Sequence, residues 1–462
     1  MNHPLTDFLD VTVARPRLVV ADLVVLNDSL GTVYTPGVVE IVEGRIVDVS
    51  AVIGPRPSGP DVTDLGASVL MPGLVNAHAH TPMSLIRGVG QGHSLLTMEG
   101  FLAVLRHHEA HLTPDLVPAS VAVSCADFIR HGTTAFADQY FFADRIAPTV
   151  VASGLRAMLA WGIVELGDDE ARARELGAAI GFAESIARTT PRVEGWLGPH
   201  AFFVDNQPEA MLAARDAAAR LGTGMHVHFS TSGEEDAWCR AAYGHTAIEE
   251  LLAIGMFDVP TIMAHCTTLP VEQLPLLAGT GAAMAVVPSV AMQSGVPAAP
   301  VREALDAGVT VALGSDNPCN NTNADLFEEM RMLGKLAAFT SRVPNQVTPR
   351  EILQIATVGG HRSFGHAGDD GRLVPGAVAD LIAIPVSEIW AGPAGAQSLE
   401  AALVYGTSGA SVSHTMTDGA WLMSEGRLHT IDLAAARAQQ QADFDVLAGR
   451  MTAASSAPAG EV

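Results

Sequence analysis

"MPGLVNAHAH", residues 71–80, carries two histidines two positions apart, directly behind an apolar run and a Pro-Gly turn. On a strand, residues i and i+2 share a face, so His78 and His80 are expected to point together. Two neutral imidazoles side by side make a ready pair of ligands for a zinc-type cation. The same pair also suits an ordinary polar loop. His226 and His228 repeat the spacing, so an HxH alone decides little, and the surrounding chain has to decide.

From about residue 71 to 365, apolar runs of strand length alternate with helical stretches of about ten or more residues. The runs are "LVNAHAH", "TTAFADQY", "RAMLAWGIV", "RVEGWLGPH", "GMHVHFST", "PTIMAHCTT", "AAMAVVPSV" and "VTVALGSDN". Eight strand–helix units are the count of a (β/α)8 TIM barrel. In "TPDLVPASVAVSCADFIRHG", Thr113 is the expected N-cap, Pro114 the first helical residue and Gly132 the stop. Chemically competent side chains recur where the runs end: His78, His80, Asp138, His200, His228, His265 and Asp316. In barrels that end is the catalytic face. Singly, Asp316 suits an N-cap and His265 a satisfied core histidine; together, strands 1, 5, 6 and 8 each offer a metal-competent group at one end of one barrel.

The flanks have a different texture. Short β segments with Gly, Asn and Asp at the turns fill 17–70 and return in "GAVADLIAIPV" and "VSHTMTDGAWLMSEGRLHT". The expected organisation is a small β-sandwich from residues 1–70 plus 370–430, a catalytic barrel over 71–369, and a C-terminal helix with a frayed tail over 431–462.

Hydrophobic residues are 48% of the 462-residue chain and charged residues 16%, a composition for a large buried core. A net charge of −24 repels phosphate backbones, so no nucleic-acid polymer or anionic membrane is expected as a partner. The four cysteines form no CxxC pair, and neither a signal peptide nor an uncharged apolar run of membrane length is evident. The expectation is a cytoplasmic homo-oligomer acting on a small molecule.

"PGLVNAHAHTPMSLIRG", "HGTTAFAD", "LGPHAFF", "HVHFSTSGEE", "AHCTTL" and "LGSDNPCNNTNADLFEEMR" together resemble the amidohydrolase superfamily. The similarity is to the branch holding methylthioadenosine/S-adenosylhomocysteine deaminases and triazine, phenylurea and thiocarbamate hydrolases, and it covers about 17–430. It implies one divalent metal, zinc by default with Fe or Co possible, bound by His78, His80, His228 and Asp316. It also implies that His265 orients or polarises the reactants and that Asp316 doubles as general base. His200 falls where relatives contact substrate, and Glu99 matches a carboxylate that holds ribose hydroxyls. His226 would lie one layer deeper, as packing.

Binuclear members bridge two metals with a carboxylated lysine from a barrel strand. The only lysine here is Lys335, after strand 8, so a mononuclear site is expected. The chain departs from the deaminase pattern at Thr231, three residues after His228, where that branch places a glutamate; Glu234 and Glu235 do not align to it. Ser289 is followed by Val290 where relatives carry Ser-Asn, and Phe141, Phe142, Phe202 and Phe203 suggest an apolar lining. Protonating a heteroaromatic ring needs an acid that Thr231 does not supply. The reading from sequence is therefore a metal-dependent hydrolase in which a metal-activated hydroxide attacks an sp2 carbon. It cleaves a C–N or C–S bond of a small apolar urea, carbamate or thiocarbamate, a xenobiotic-degrading role. The alternative is a hydrolytic deaminase of a purine nucleoside or triazine-type ring.

Overall fold

The computed structural model describes residues 18–456, apart from 367, 369, 390–392 and 394–395. Residues 1–17 of the expected sandwich and 457–462 of the expected tail lie outside the described residues.

Eight parallel strands follow one another in sequence order: Leu74–Ala79, Thr133–Tyr140, Arg156–Ile163, Val193–Pro199, Met225–Phe229, Thr261–His265, Ala282–Val286 and Thr310–Leu313, here barrel strands 1 to 8. Closure between strands 8 and 1 is made just past Leu313. The Ser315 and Asp316 N–H groups donate to His78 O at 3.2 and 2.8 Å, and Ser315 N–H also donates to Asn76 Oδ1 at 3.0 Å. Gly314 permits that approach, since a Cβ there would sit 2.8 Å from His78 Cβ. The interior is filled by small side chains, among them Ala77, Ala137, Ala160, Ala285 and Ala312, around Trp196 and Phe364. This is a packed core and not a pore.

The sandwich draws on both ends of the chain. A four-stranded sheet (Leu18–Ala21, Gly37–Val42, Arg45–Ala51, Val62–Asp64) faces a seven-stranded one, in which Ser68–Pro72 pairs antiparallel with Leu381–Pro385. Val19, Val39 and Ile46 from the first sheet share a buried cluster with Leu70, Leu381 and Trp421 from the second. Alternating burial along Gly37–Val42 shows the period of two that places one face in that core.

One local expectation is corrected. Thr113 opens only a 3-10 turn over Pro114–Leu116 and makes no capping bond; the α-helix starts at Pro118 and ends at Arg130. A second proline at the first helical position resets the start. The last helix runs Leu433–Ser456. Among the described residues no single helix is long and apolar enough to cross a membrane.

Candidate metal centre and active site

Strict alternation would not bring His78 and His80 to the barrel mouth, because Val75 and Ala77 already face the interior. The pairing register with strand 2 slips between Asn76 and Ala79. That bulge re-phases the strand end, so both imidazoles join the site. Asp316 follows strand 8 at φ 58° and His265 ends strand 6 at φ 80°. Left-handed backbone of this kind is costly for ordinary residues and concentrates at functional sites.

His78 Nε2 and His80 Nε2 each lie 3.2 Å from Asp316 Oδ1, and His80 Nε2 lies 3.2 Å from His228 Nε2. His78 Nε2 and both Asp316 oxygens are buried without a hydrogen-bond partner. The short contacts to Asp316 are thus lone pairs converging and not N–H donation. The other ring nitrogens explain why. His80 Nδ1 meets Gln139 O at 2.6 Å, His228 Nδ1 meets His200 O at 2.9 Å and His78 Nδ1 meets His226 Nε2 at 2.8 Å. Carbonyl oxygens only accept, so they fix His80 and His228 as Nδ1–H tautomers with free Nε2 lone pairs. Three imidazole nitrogens and a carboxylate converging without internal partners fit one divalent transition cation.

His265 has donor atoms close to those of His78 and His228, and burial pulls it down to about 3. It is therefore a neutral imidazole at the edge of the cluster. Asp138, at the end of strand 2, is raised by burial to about 6; it is engaged by the Thr81 N–H and hydroxyl and serves the loop.

His226 has a more specific part than the packing expected of it. For His78 to keep its Nε2 lone pair, His78 Nδ1–H must donate to His226 Nε2. His226 Nδ1 is then a buried N–H with no partner. His226→Leu should weaken zinc affinity by about 10–100-fold, the usual range for the residue behind a metal-binding histidine, with the fold retained. An unchanged zinc Kd in chelator competition would remove His226 from this role.

Above the cluster opens a cavity. Its walls include Leu95, Leu96, Phe101, Leu105 and Phe141, with His200, Thr231, Glu109 and Glu234. Of the four phenylalanines expected there, only Phe141 lines it. Phe202 is fully buried, and Ser289 is turned to Glu329, whose Oε2 accepts its N–H at 3.0 Å. Glu99 is corrected as well: it is exposed on a short helix over Met98–Gly100 and is not among the cavity-lining residues, whereas its neighbour Met98 is.

Three acids enter instead. Asp205, five residues past His200, accepts His200 Nδ1–H at 2.7 Å and Arg106 at 2.9 Å. It thereby presents His200 Nε2 to the cavity as an acceptor. Glu109, with a side chain 9% exposed, is hydrogen-bonded with Tyr140. The turn through Gly233 (φ 86°) carries Glu234 to the wall, where its Oε2 accepts from Ser232 Oγ at 2.7 Å and Met98 N–H at 3.3 Å. Glu235 lies beneath, near the Thr231 N–H at 3.3 Å, and burial raises it to about 7. Sequence reasoning missed Asp205 although it stands near His200; Glu234 does not align with the glutamate of the branch, because its place depends on a chain reversal through Gly233.

Burial also raises Glu329 to about 7, although Asn321 Nδ2 donates to it at 2.7 Å. It stays protonated in the folded chain while an unfolded glutamate ionises above about pH 4.3. Its contribution to stability is therefore full below that pH and is lost as pH rises through about 7. Glu329→Gln, neutral throughout, should lose less Tm than the parent chain between about pH 5 and about pH 8. Identical pH slopes would refute this.

The barrel mouth and its donor set define a metal-dependent enzyme. The chain belongs to the amidohydrolase family, whose pattern matches residues 69–422. It is 32% identical to the 5'-deoxyadenosine deaminase of Methanosarcina mazei, over 89% of this chain and 95% of that protein. It is likewise 32% identical to the 5-methylthioadenosine/S-adenosylhomocysteine deaminase of Moorella thermoacetica, over 90% of this chain and 96% of that one. In structure it resembles an adenosine deaminase from Xanthomonas campestris with bound zinc (TM-score 0.83, 26% identity, 94% of this chain and 98% of that one). The atrazine chlorohydrolase of Arthrobacter aurescens complexed with zinc shares the fold (TM-score 0.82, 22% identity, 92% of this chain and 99% of that one).

Proposed function

We propose that the protein is a hydrolytic deaminase of an adenosine-type nucleoside, dependent on one divalent cation held by His78, His80, His228 and Asp316. The observation that carries this reading is the match along about nine-tenths of the chain to 5'-deoxyadenosine and methylthioadenosine/S-adenosylhomocysteine deaminases. The urea, carbamate or thiocarbamate reading rested on the lack of a carboxyl group at Thr231 and on an apolar pocket. The cavity weakens both grounds, since Glu234 stands on the same wall as Thr231 and three of the four phenylalanines lie elsewhere.

A cation at this site supplies Lewis acidity and brings a water within reach of deprotonation near neutral pH. Asp316 Oδ2, without a partner, accepts the proton as the water oxygen adds to the amine-bearing ring carbon. The same proton can return to the amine, which departs as ammonia when the C–N bond breaks. His265, neutral, donates to the developing negative charge. His200, tautomer-locked by Asp205, accepts a hydrogen bond from the substrate. Apolar side chains on the opposite wall keep bulk water away from the ring, and Glu109 and Glu234 are the carboxylates available to sugar hydroxyls or a ring nitrogen.

Zinc-loaded protein is expected to release ammonia from 5'-methylthioadenosine or 5'-deoxyadenosine with the absorbance change of adenine-to-hypoxanthine conversion. A phenylurea, a carbamate and a thiocarbamate run in parallel should stay intact, followed by amine or thiol release. Cleavage of any of these with no purine turnover would reverse the assignment.

A further inference from the structure

The opposite end of the barrel holds a second convergence of ligand-type side chains. His361 sits in the turn of helix Gly360–Ser363, His366 follows it, and Asp370 lies on the way back to the sandwich. One donor atom from each falls within 4.8 Å of the others. The place is the N-terminal face: Phe364, between the two histidines, plugs the barrel interior, and His366 contacts Glu194 at the start of strand 4.

His366 and Asp370 each have a partner on one side. His366 Nε2 lies 3.3 Å from Glu194 Oε1, so this ring donates to a carboxylate and keeps Nδ1 as a lone pair. Such carboxylate–histidine pairs commonly back metal-binding imidazoles. Asp370 Oδ1 accepts the Val378 N–H at 3.0 Å, which leaves Oδ2. His361 is 2% exposed, and its Nδ1 has no hydrogen-bond partner among the described residues. The neighbouring Asp380 is already engaged by Arg156 at 3.0 and 3.3 Å and by the Asp418 N–H at 2.8 Å, and is not available as a ligand.

We propose that His361, His366 and Asp370 form a second, structural site for a late first-row divalent cation such as Zn²⁺ or Co²⁺. It would tie the last barrel helix and the return strand to strand 4. Two imidazoles and one carboxylate favour such cations over Ca²⁺ or Mg²⁺, which prefer oxygen. The site is independent of the deaminase reading and of the metal at the barrel mouth.

The test uses full-length protein stripped by a chelator and titrated with Zn²⁺, with Co²⁺ absorbance as a second readout. Asp370→Asn keeps an oxygen for the Val378 N–H, so its fold should persist; His361→Asn is the second variant. Asp316→Asn reports the barrel mouth separately. The expected result is two equivalents in the parent chain and one in each of the three variants. The Zn²⁺-induced rise in Tm that remains in Asp316→Asn should vanish when Asp370→Asn is added. If the parent binds one equivalent, lost in Asp316→Asn and kept in Asp370→Asn, the second site is wrong and the mouth site stands. If that one is lost in Asp370→Asn and kept in Asp316→Asn, the second site stands and the mouth site fails.

Discussion

Asp316→Asn is expected to abolish turnover to within measurement, a drop in kcat of about 10⁴-fold, the upper end of what a proton-transferring group contributes, and to strip the barrel mouth of its cation. The size of the effect follows from the two tasks on one side chain. Oδ1 is 3.2 Å from both His78 Nε2 and His80 Nε2, so loss of its charge removes a ligand. Oδ2 is buried and unpartnered, so the general base is lost as well. Fold should survive, because the backbone N–H of residue 316 still holds His78 O. Metal content by emission spectroscopy and ammonia release measure the two tasks separately. A variant with full kcat would displace Asp316 from the chemistry.

His265→Asn separates catalysis from metal retention. Asparagine tolerates the left-handed backbone that His265 adopts at φ 80°, so the substitution should not disturb the strand end. We expect kcat to fall by about 10²–10³-fold, the scale of lost acid–base assistance, with the zinc content of the mouth kept. A folded variant that no longer holds zinc there would make His265 a ligand, as its donor-atom proximity to His78 and His228 also permits.

Much of the architecture was legible because local chemistry and global fold agree. The run "TTAFADQY" is strand 2, Thr133–Tyr140; the run "RAMLAWGIV" exceeds strand 3, Arg156–Ile163, by one residue. Apolar runs of that length, punctuated by Gly and Pro, have few other uses in a chain this poor in charge. Helix starts were less legible, as Pro118 shows, since two prolines offered competing first turns.

The site divides along the same line. Residue types and their places at strand ends, His78, His80, His228, His265 and Asp316, belong to the sequence, because a parallel strand alternating with helices can end only at one face of a barrel. Which nitrogen each histidine offers belongs to the tertiary structure. His78 is oriented by His226, 148 positions away, and His80 and His228 by the carbonyls of Gln139 and His200. The bulge after Asn76 that turns His78 and His80 to the mouth arises in pairing with strand 2, not in the alternation of strand 1. The acids of the cavity follow the same rule. Glu99 matched a pattern yet lies exposed, while Glu109 at the end of helix His107–Glu109 and Glu234 behind the Gly233 turn reach the wall by a tertiary placement that no local periodicity encodes. Hydrogen-bond partners contributed across the barrel are set only when all eight strands close, and closure is a property of the packed chain.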